Sequence, residues 1–312
     1  MKKSNGQSIS VIGLGSMGSA LAETLLKSDF NVSVWNRTLL KSKKLENQGA
    51  NICSSPNDAF KNSQFIIASL SNYEAWNNII NSNQIDMDLS GKTIIQLTTG
   101  SIEEVSALSD WVKKHNGNLL EGIISCFPSQ IGTEESLILL AGNNKSIHNC
   151  KDIISALSPK YKNLGDNLIA PTVLSRAFLS GVLGGLIGMM NGVVLCQNAA
   201  ISLDDFKDIY MDRNSIIKQE SERIIDAIAA EDTKSTEASI SAWGHGQEAL
   251  LSISKTLDSN LDFQLTLNSL FKQAIKVGLE NHDLSAMYKI FKNINQSFCK
   301  SLSGRFIIYF LC

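Results

Sequence analysis

Apolar and polar positions follow two different rhythms along this chain. From Ser8 to Ala141, short apolar or β-branched runs recur: Ser8–Ile12, Asn31–Trp35, Asn51–Cys53, Phe65–Leu70, Thr93–Leu97, Leu119–Ile124 and Ser136–Ala141. Their length and their Val and Ile content read as strands. Helical spacing separates them, as in Met17–Ser28 and Thr38–Glu46. Strands alternating with helices predict βαβ units and a parallel sheet. After Pro159 and Pro171 the period becomes helical, for example over Ile216–Ala230 and Leu265–Val277, and continues to about Lys300. The expected organisation is an α/β domain over 1–168, a long interdomain helix at 169–200, and an all-helical domain over 201–312.

Two segments break the pattern. Ala177–Leu195 carries no charge and approaches transmembrane length. Within it Ser180, Gly184, Gly188 and Gly192 recur every fourth residue, a spacing that lets helix backbones approach closely. It is the only such segment and contains Asn191, so burial in a soluble protein or dimer is favoured over a membrane span. The apolar tail Phe306–Cys312 is expected to cover a patch or an interface, because such segments aggregate in water.

Composition narrows the classes. The 312 residues are 43% hydrophobic and 19% charged, which supports sizeable cores and argues against disorder. A formal charge of −2 offers no overall basic surplus for nucleic acid or an anionic membrane. The six cysteines are scattered and the histidines show no metal spacing, so no metal site is expected. The N-terminus lacks the apolar core of a signal peptide, and a cytoplasmic chain with reduced thiols is the simplest expectation.

The sharpest chemical signal is Gly13-Leu14-Gly15-Ser16-Met17-Gly18, between the first strand and the first helix. In that setting Gly13 permits a tight turn and Gly15 lets a diphosphate approach the backbone. Gly18 lets helix and strand pack closely, and the helix N-terminus offers amide donors. This predicts a Rossmann-type dinucleotide site. The second strand then ends in Asn36-Arg37-Thr38, 23 positions after Gly13. An NAD site carries an acid there for the ribose diol, whereas neutral Asn36 would not repel a 2′-phosphate and Arg37 can pair with one. Lys41, Lys43 and Lys44 raise the local potential, so the expected cofactor is NADPH. Leu70, Ser71 and Thr98 complete the expected cofactor-binding set.

The same residues resemble the β-hydroxyacid dehydrogenase superfamily, and three further stretches resemble its imine reductases and reductive aminases. These are Gln96–Ser101, Leu120–Ser125 running on to Pro128–Thr133, and Arg176–Leu195, within a likeness extending from about Ser8 to Phe298. The resemblance implies a Rossmann domain, a long interdomain helix, a helical C-terminal domain, and an interlocked homodimer whose sites lie between subunits. It also implies NADPH-dependent reduction of C=N bonds, mostly in cyclic imines. Gln96, Ser125 and Gln247 are the implied substrate-binding positions.

Departures from the family pattern bear on catalysis. Where imine reductases place an Asp or Tyr near the start of the long helix, this chain has Ser175. The hydroxyacid dehydrogenases' catalytic Lys is absent there too, with Leu179 one turn on, which counts against a 3-hydroxyacid dehydrogenase. Gln96 replaces the usual Asn, and Glu121 the usual Asp. A serine hydroxyl is a poor proton donor, but an iminium is already electrophilic and needs only hydride and a positioning pocket. Ser175 is therefore read either as the group that orients the substrate nitrogen or as an N-cap for a helix starting at Arg176. Cys126, His245, Tyr210 and Asp212 are weaker candidates. A non-catalytic NADP-binding homologue is the rival from another class.

Overall fold

A computed structural model describes residues 7–82, 88–234 and 237–292, so the tail Phe306–Cys312 lies outside the described residues. The strands are β1 (Ser8–Ile12), β2 (Asn31–Trp35), β3 (Asn51–Ile52), β4 (Phe65–Ala68), β5 (Thr93–Gln96), β6 (Asn118–Ile124), β7 (Ile138–Gly142) and β8 (Lys162–Asn163). They form one sheet in the order β3-β2-β1-β4-β5-β6-β7-β8. The helices between them are α1 (Ser16–Lys27), α2 (Leu39–Glu46), α3 (Pro56–Asn62), α4 (Tyr73–Ser82), α5 (Ile102–Lys114), α6 (Asn144–Asn149) and α7 (Lys151–Leu157).

Strands β1 to β6 run parallel, as the alternation predicted, but β7 is antiparallel to β6. The reason is the connection. Parallel neighbours need a crossover, usually a helix, whereas β6 and β7 are joined by a loop holding only the short 3₁₀ turn Pro128–Gln130. The two-residue β8, too short and polar to show in the pattern, pairs parallel to β7.

Successive residues face opposite sides of the sheet, and both sides are packed. Val11, Ile67, Ile95 and Leu120 join α1 and α7 in one core, while Ile12, Ile66, Ala68, Ile94 and Leu119 join Phe60, Trp76, Val105 and Leu108 in the other. Helices α3 and α5 start at Ser55 and Ser101, each closed by a capping box with Asp58 and Glu104. Strand order reverses between β1 and β4. Their C-terminal ends therefore open a crevice at the topological switch point.

The chain divides into two compact units at Gly181/Val182, inside the helix α8 (Ala170–Asn198). In the second unit, α9 (Leu203–Ala229), α10 (Ile240–Thr256), α11 (Asp262–Lys276) and α12 (Tyr288–Lys292) carry out the helical expectation. Their core contains Ile240, Ala274, Leu279, Ala286 and Ile290. Buried Asp283 accepts from Arg223 Nη1 at 3.0 Å and from the Ser285 N–H at 2.8 Å, tying α9 to the segment before α12. Gln264 links two helices to its own: its side-chain oxygen accepts from Gln247 Nε2 at 2.7 Å, and its Nε2 donates to Asn191 Oδ1 at 2.6 Å.

Helix α8 is long and apolar enough to cross a membrane by length and composition, and none of its most apolar window is buried. Burial within its own chain is therefore not the fate of this stripe. Phe263 and Phe206 approach Gly188 and Gly192, but open space surrounds Gly181, Gly184 and Gly185.

Candidate functional site

The glycine turn shows why the sequence needs each residue type. Gly13 sits at φ +94°, and any side chain there would collide with the Ser69 carbonyl at the end of β4. A side chain on Gly18 would run into the carbonyl of Gly13, so the first turn of α1 lies directly on the loop. At Gly15 nothing lies within 4 Å, which leaves that backbone open to a ligand. Gly15 is also the N-cap of α1. The first amides of a helix have no partner within it, so those from Ser16 to Gly18 are the natural donors to a diphosphate.

Beside this turn is a cleft of ≈ 850 Å³ lined by Gly13 to Gly18, by Asn36, Arg37 and Thr38, and by Leu70 and Ser71. Eleven of the twelve positions assigned to the cofactor thus converge on one space. Thr98 is the exception. It is buried, its Oγ1 accepts from the Leu70 N–H at 3.0 Å, and its own N–H donates to Gln96 Oε1 at 3.0 Å. Thr98 therefore holds the wall and does not form it.

Asn36 has a more particular role than neutrality. Its Oδ1 accepts from the Leu14 N–H at 2.9 Å, and its Nδ2 donates to the Thr38 carbonyl at 3.0 Å. Arg37 is exposed at the rim with Lys41 on the same cleft wall, and neither forms an ion pair among the described residues. Open backbone at Gly15, helix amides and the basic side formed by Arg37 and Lys41 fit a dinucleotide bearing a 2′-phosphate. Sequence reasoning missed the opposite wall, where α4 contributes Glu74, Asn78 and Ile79. The signal available was positional: α4 follows the strand on the other side of the switch point.

The substrate-side candidates are dispersed. Ser125 is exposed at the end of β6, its N–H donating to the Leu137 carbonyl at 2.8 Å. Gln96 is fully buried and engaged with Thr98, and Gln247 is buried with its amide N–H donors bound to Gln264. Burial and these hydrogen bonds give both residues a part in holding the structure. Ser175 is half-buried in the interior of α8, which begins five residues earlier at Ala170. The capping reading of Ser175 is overturned, because a helix already under way needs no N-cap there. Its neighbours Thr172 and Arg176 line a second cavity of ≈ 710 Å³ together with Thr99 to Glu104.

Among the weaker candidates, burial pushes the Cys126 thiol up, away from the thiolate a nucleophile requires. Asp212 pairs with Arg213 at 3.1 Å in water, and Tyr210 stacks near Phe206 with ring centroids 5.7 Å apart. Among the described residues no cluster of His, Cys, Asp or Glu could hold a metal.

The turn, the helix N-terminus and the cleft at the switch point define a dinucleotide-binding domain of the Rossmann class. The chain belongs to the family of the NAD-binding domain of 6-phosphogluconate dehydrogenase, whose profile matches residues 8–165. Over 289 residues it is 26% identical to an NADPH-dependent reductive aminase of Aspergillus oryzae, covering 91% of this chain and 97% of that one. It is similar to the solved imine reductase from Pseudomonas sp., with a TM-score of 0.81 and 29% identity, covering 92% of this chain and 100% of the other. A third relative, the cytokine-like nuclear factor N-PAC of Drosophila melanogaster, is 27% identical over 90% of this chain but only 47% of its own length. The likeness to imine reductases read from Gln96–Ser101 and Leu120–Thr133 is borne out by these relatives.

Proposed function

We propose that this chain, an NADPH-dependent oxidoreductase, reduces the C=N bond of a cyclic imine or iminium. The observation that carries the cofactor half is that neutral Asn36 and basic Arg37 and Lys41 line the same cleft as the N-terminal amides of α1. The relatives named for imine reduction and reductive amination support the reaction class. Bound NADPH would supply hydride from C4 of its nicotinamide.

The chain's own residues bind, orient and exclude. Helix α1 and Arg37 take the diphosphate and the 2′-phosphate. The Ser69–Asn72 turn lines the same cleft; the Leu97–Ser101 turn would stand toward the nicotinamide end, and Ser125 and Ser175 would offer hydroxyls to the substrate nitrogen. No carboxylic acid stands at the Ser175 position. A substrate that arrives protonated, or as a permanent iminium, asks for no proton from the enzyme, because hydride addition leaves a neutral amine. An atypical serine and a charged substrate are therefore two sides of one reading.

A second copy of the chain belongs to this proposal. Phe178, Ile209 and Ile225 are 68%, 66% and 65% exposed on α8 and α9, far more apolar surface than single scattered residues. Covering such faces with a partner makes an obligate homodimer. A cytoplasmic setting fits the free thiols Cys53, Cys126, Cys150 and Cys196. A second reading, a non-catalytic NADP-binding homologue, rests on the missing acid at Ser175 and on a relative named as a nuclear factor.

The test is NADPH oxidation by the purified protein against cyclic imines and a permanently charged iminium salt, across pH. Turnover of the charged salt, with little of the neutral imines, is the expected result. NADPH binding without turnover of any member would move the assignment to the non-catalytic reading. Size-exclusion with light scattering checks the dimer, and a monomer without detergent would remove it.

A further inference from the structure

The geometry points to Glu121 as a positioning residue of this site, a buried carboxyl that through Tyr73 braces the Leu97–Ser101 turn, which Gln96 holds from the neighbouring strand. This rests on the oxidoreductase reading for its reaction but on the fold alone for its geometry. Glu121 and Gln96 lie opposite each other in register on β6 and β5, on the same face of the sheet by strand alternation. Both are fully buried. Tyr73, the first residue of α4, donates its hydroxyl to Glu121 Oε2 at 2.7 Å. Its ring lies where any side chain at Gly100 would have to be, so Tyr73 holds the Leu97–Ser101 turn by shape. Gln96 holds the same turn by accepting from the Thr98 N–H, and Thr98 in turn accepts from Leu70 at the cofactor cleft.

Two atoms of this assembly are left over. Glu121 Oε1 and Gln96 Nε2 are buried without a hydrogen-bond partner among the described residues. A leucine would fill the space without such orphans, so packing alone does not explain a carboxyl here. Burial pushes Glu121 up to about 8, with the Tyr73 hydrogen bond pulling it part of the way back. The charged groups around it offer no rescue. From α4, Tyr73 is itself driven up by burial and by Glu121, and from α5, Glu104 adds a further negative influence on Tyr73. On β5 and β7 the residues in register with Glu121 are uncharged Gln96 and Ala141, and from α8 Arg176 is exposed on the second cavity's wall. At neutral pH the carboxyl is a neutral, proton-bearing brace. Above its titration a bare charge sits beneath the turn, and the turn must shift to admit water.

The experiment uses the full chain with NADPH bound and two readouts. The first is bound-nicotinamide fluorescence against pH, from about 6 to 10, with the NADPH dissociation constant measured alongside. The wild type should lose the bound-state signal with a midpoint near 8 while the dissociation constant changes less than about threefold, because the diphosphate contacts are untouched. Glu121→Gln, neutral at every pH, should abolish that midpoint, and Tyr73→Phe should move it upward by removing the bond that favours the charged form. The second readout is kcat on an iminium substrate, expected to fall about tenfold per pH unit above the same midpoint in the wild type alone. Glu121→Leu should cut kcat far more than KM, and Glu121→Gln should recover most of the loss. A wild-type signal flat to pH 10, or an alkaline limb that persists in Glu121→Gln, overturns the proposal. Should no substrate turn over, the reaction assignment fails while the fluorescence arm still decides this one.

Discussion

Asn36 and Leu14, 22 residues apart, are joined by a hydrogen bond of 2.9 Å from the Leu14 N–H to the Asn36 side-chain oxygen. The bond fastens the residue after β2 to the glycine turn and occupies the Leu14 amide. An amide serves this position in three ways: its oxygen accepts from the turn, its nitrogen donates to the Thr38 carbonyl, and its neutrality leaves the 2′ position of a bound dinucleotide unrepelled. Asn36→Asp keeps the acceptor but adds a charge. NADPH affinity should fall about tenfold or more while NADH binding changes little. Fluorescence titration with both cofactors checks it, and an equal loss for the two would remove the 2′-phosphate assignment.

Arg37 stands on the opposite side of that argument. A charge-assisted hydrogen bond is worth about 1.5–3 kcal/mol, so Arg37→Ala should weaken NADPH by roughly 10- to 100-fold and NADH far less. Raising salt should narrow the difference between wild type and variant, because Arg37 is exposed and its attraction is screened.

Gly13 and Gly49 separate conformational strain from steric contact. Both have positive φ, +94° and +99°, but only Gly13 faces the Ser69 carbonyl, while Gly49 has open space around it. Gly49→Ala should cost about 1 kcal/mol of stability and leave NADPH binding intact. Gly13→Ala should add overpacking of about 1–3 kcal/mol and abolish binding by displacing the turn. Thermal melts with and without NADPH measure both effects.

Stability should carry the mark of Glu121. Its folded value, about 8, lies above the ordinary 4.5, so between those limits the native state holds a proton that the unfolded chain has released. Stability at this site therefore falls as pH rises through that window, by up to ~1.4 kcal/mol per unit, and levels off above it. Glu121→Gln should flatten the slope in urea titrations between about pH 5 and 8. An unchanged slope would show that Glu121 is ionised in the folded protein at neutral pH.

Ser175 lies inside α8, where serine is a poorer helix former than alanine by a few tenths of a kcal/mol. Ser175→Ala should leave the melting temperature unchanged or slightly raised and lower kcat on iminium salts severalfold. Ser175→Asp should raise turnover of neutral imines toward lower pH, where the carboxyl can donate. Indifference of both variants across pH would leave Ser175 as a helix surface residue only.

The parts of this site that a reader could find in the letters are those whose chemistry is local. Gly13, Gly15 and Gly18 follow from one turn between one strand and one helix, and Asn36-Arg37-Thr38 follows from where the next strand ends. The resemblance implies Gln96 and Gln247 as substrate positions, but motif position does not say which way a side chain faces, and the burial of both is seen only in the folded chain. The Tyr73–Glu121 pair, 48 residues apart, had no local signature at all.

Sequence alone determined the strand and helix alternation, the dinucleotide turn and the charge at its rim, because periodicity, backbone freedom and charge are properties of short segments. Tertiary structure decided the rest. It set the reversal of β7, the burial of Gln96 and Glu121 on one face of the sheet, the position of Ser175 within a helix already begun, and the uncovered stripe of α8. Each depends on which distant segments share a surface, and that is settled by loop length and by which faces find water-free partners once the sheet closes.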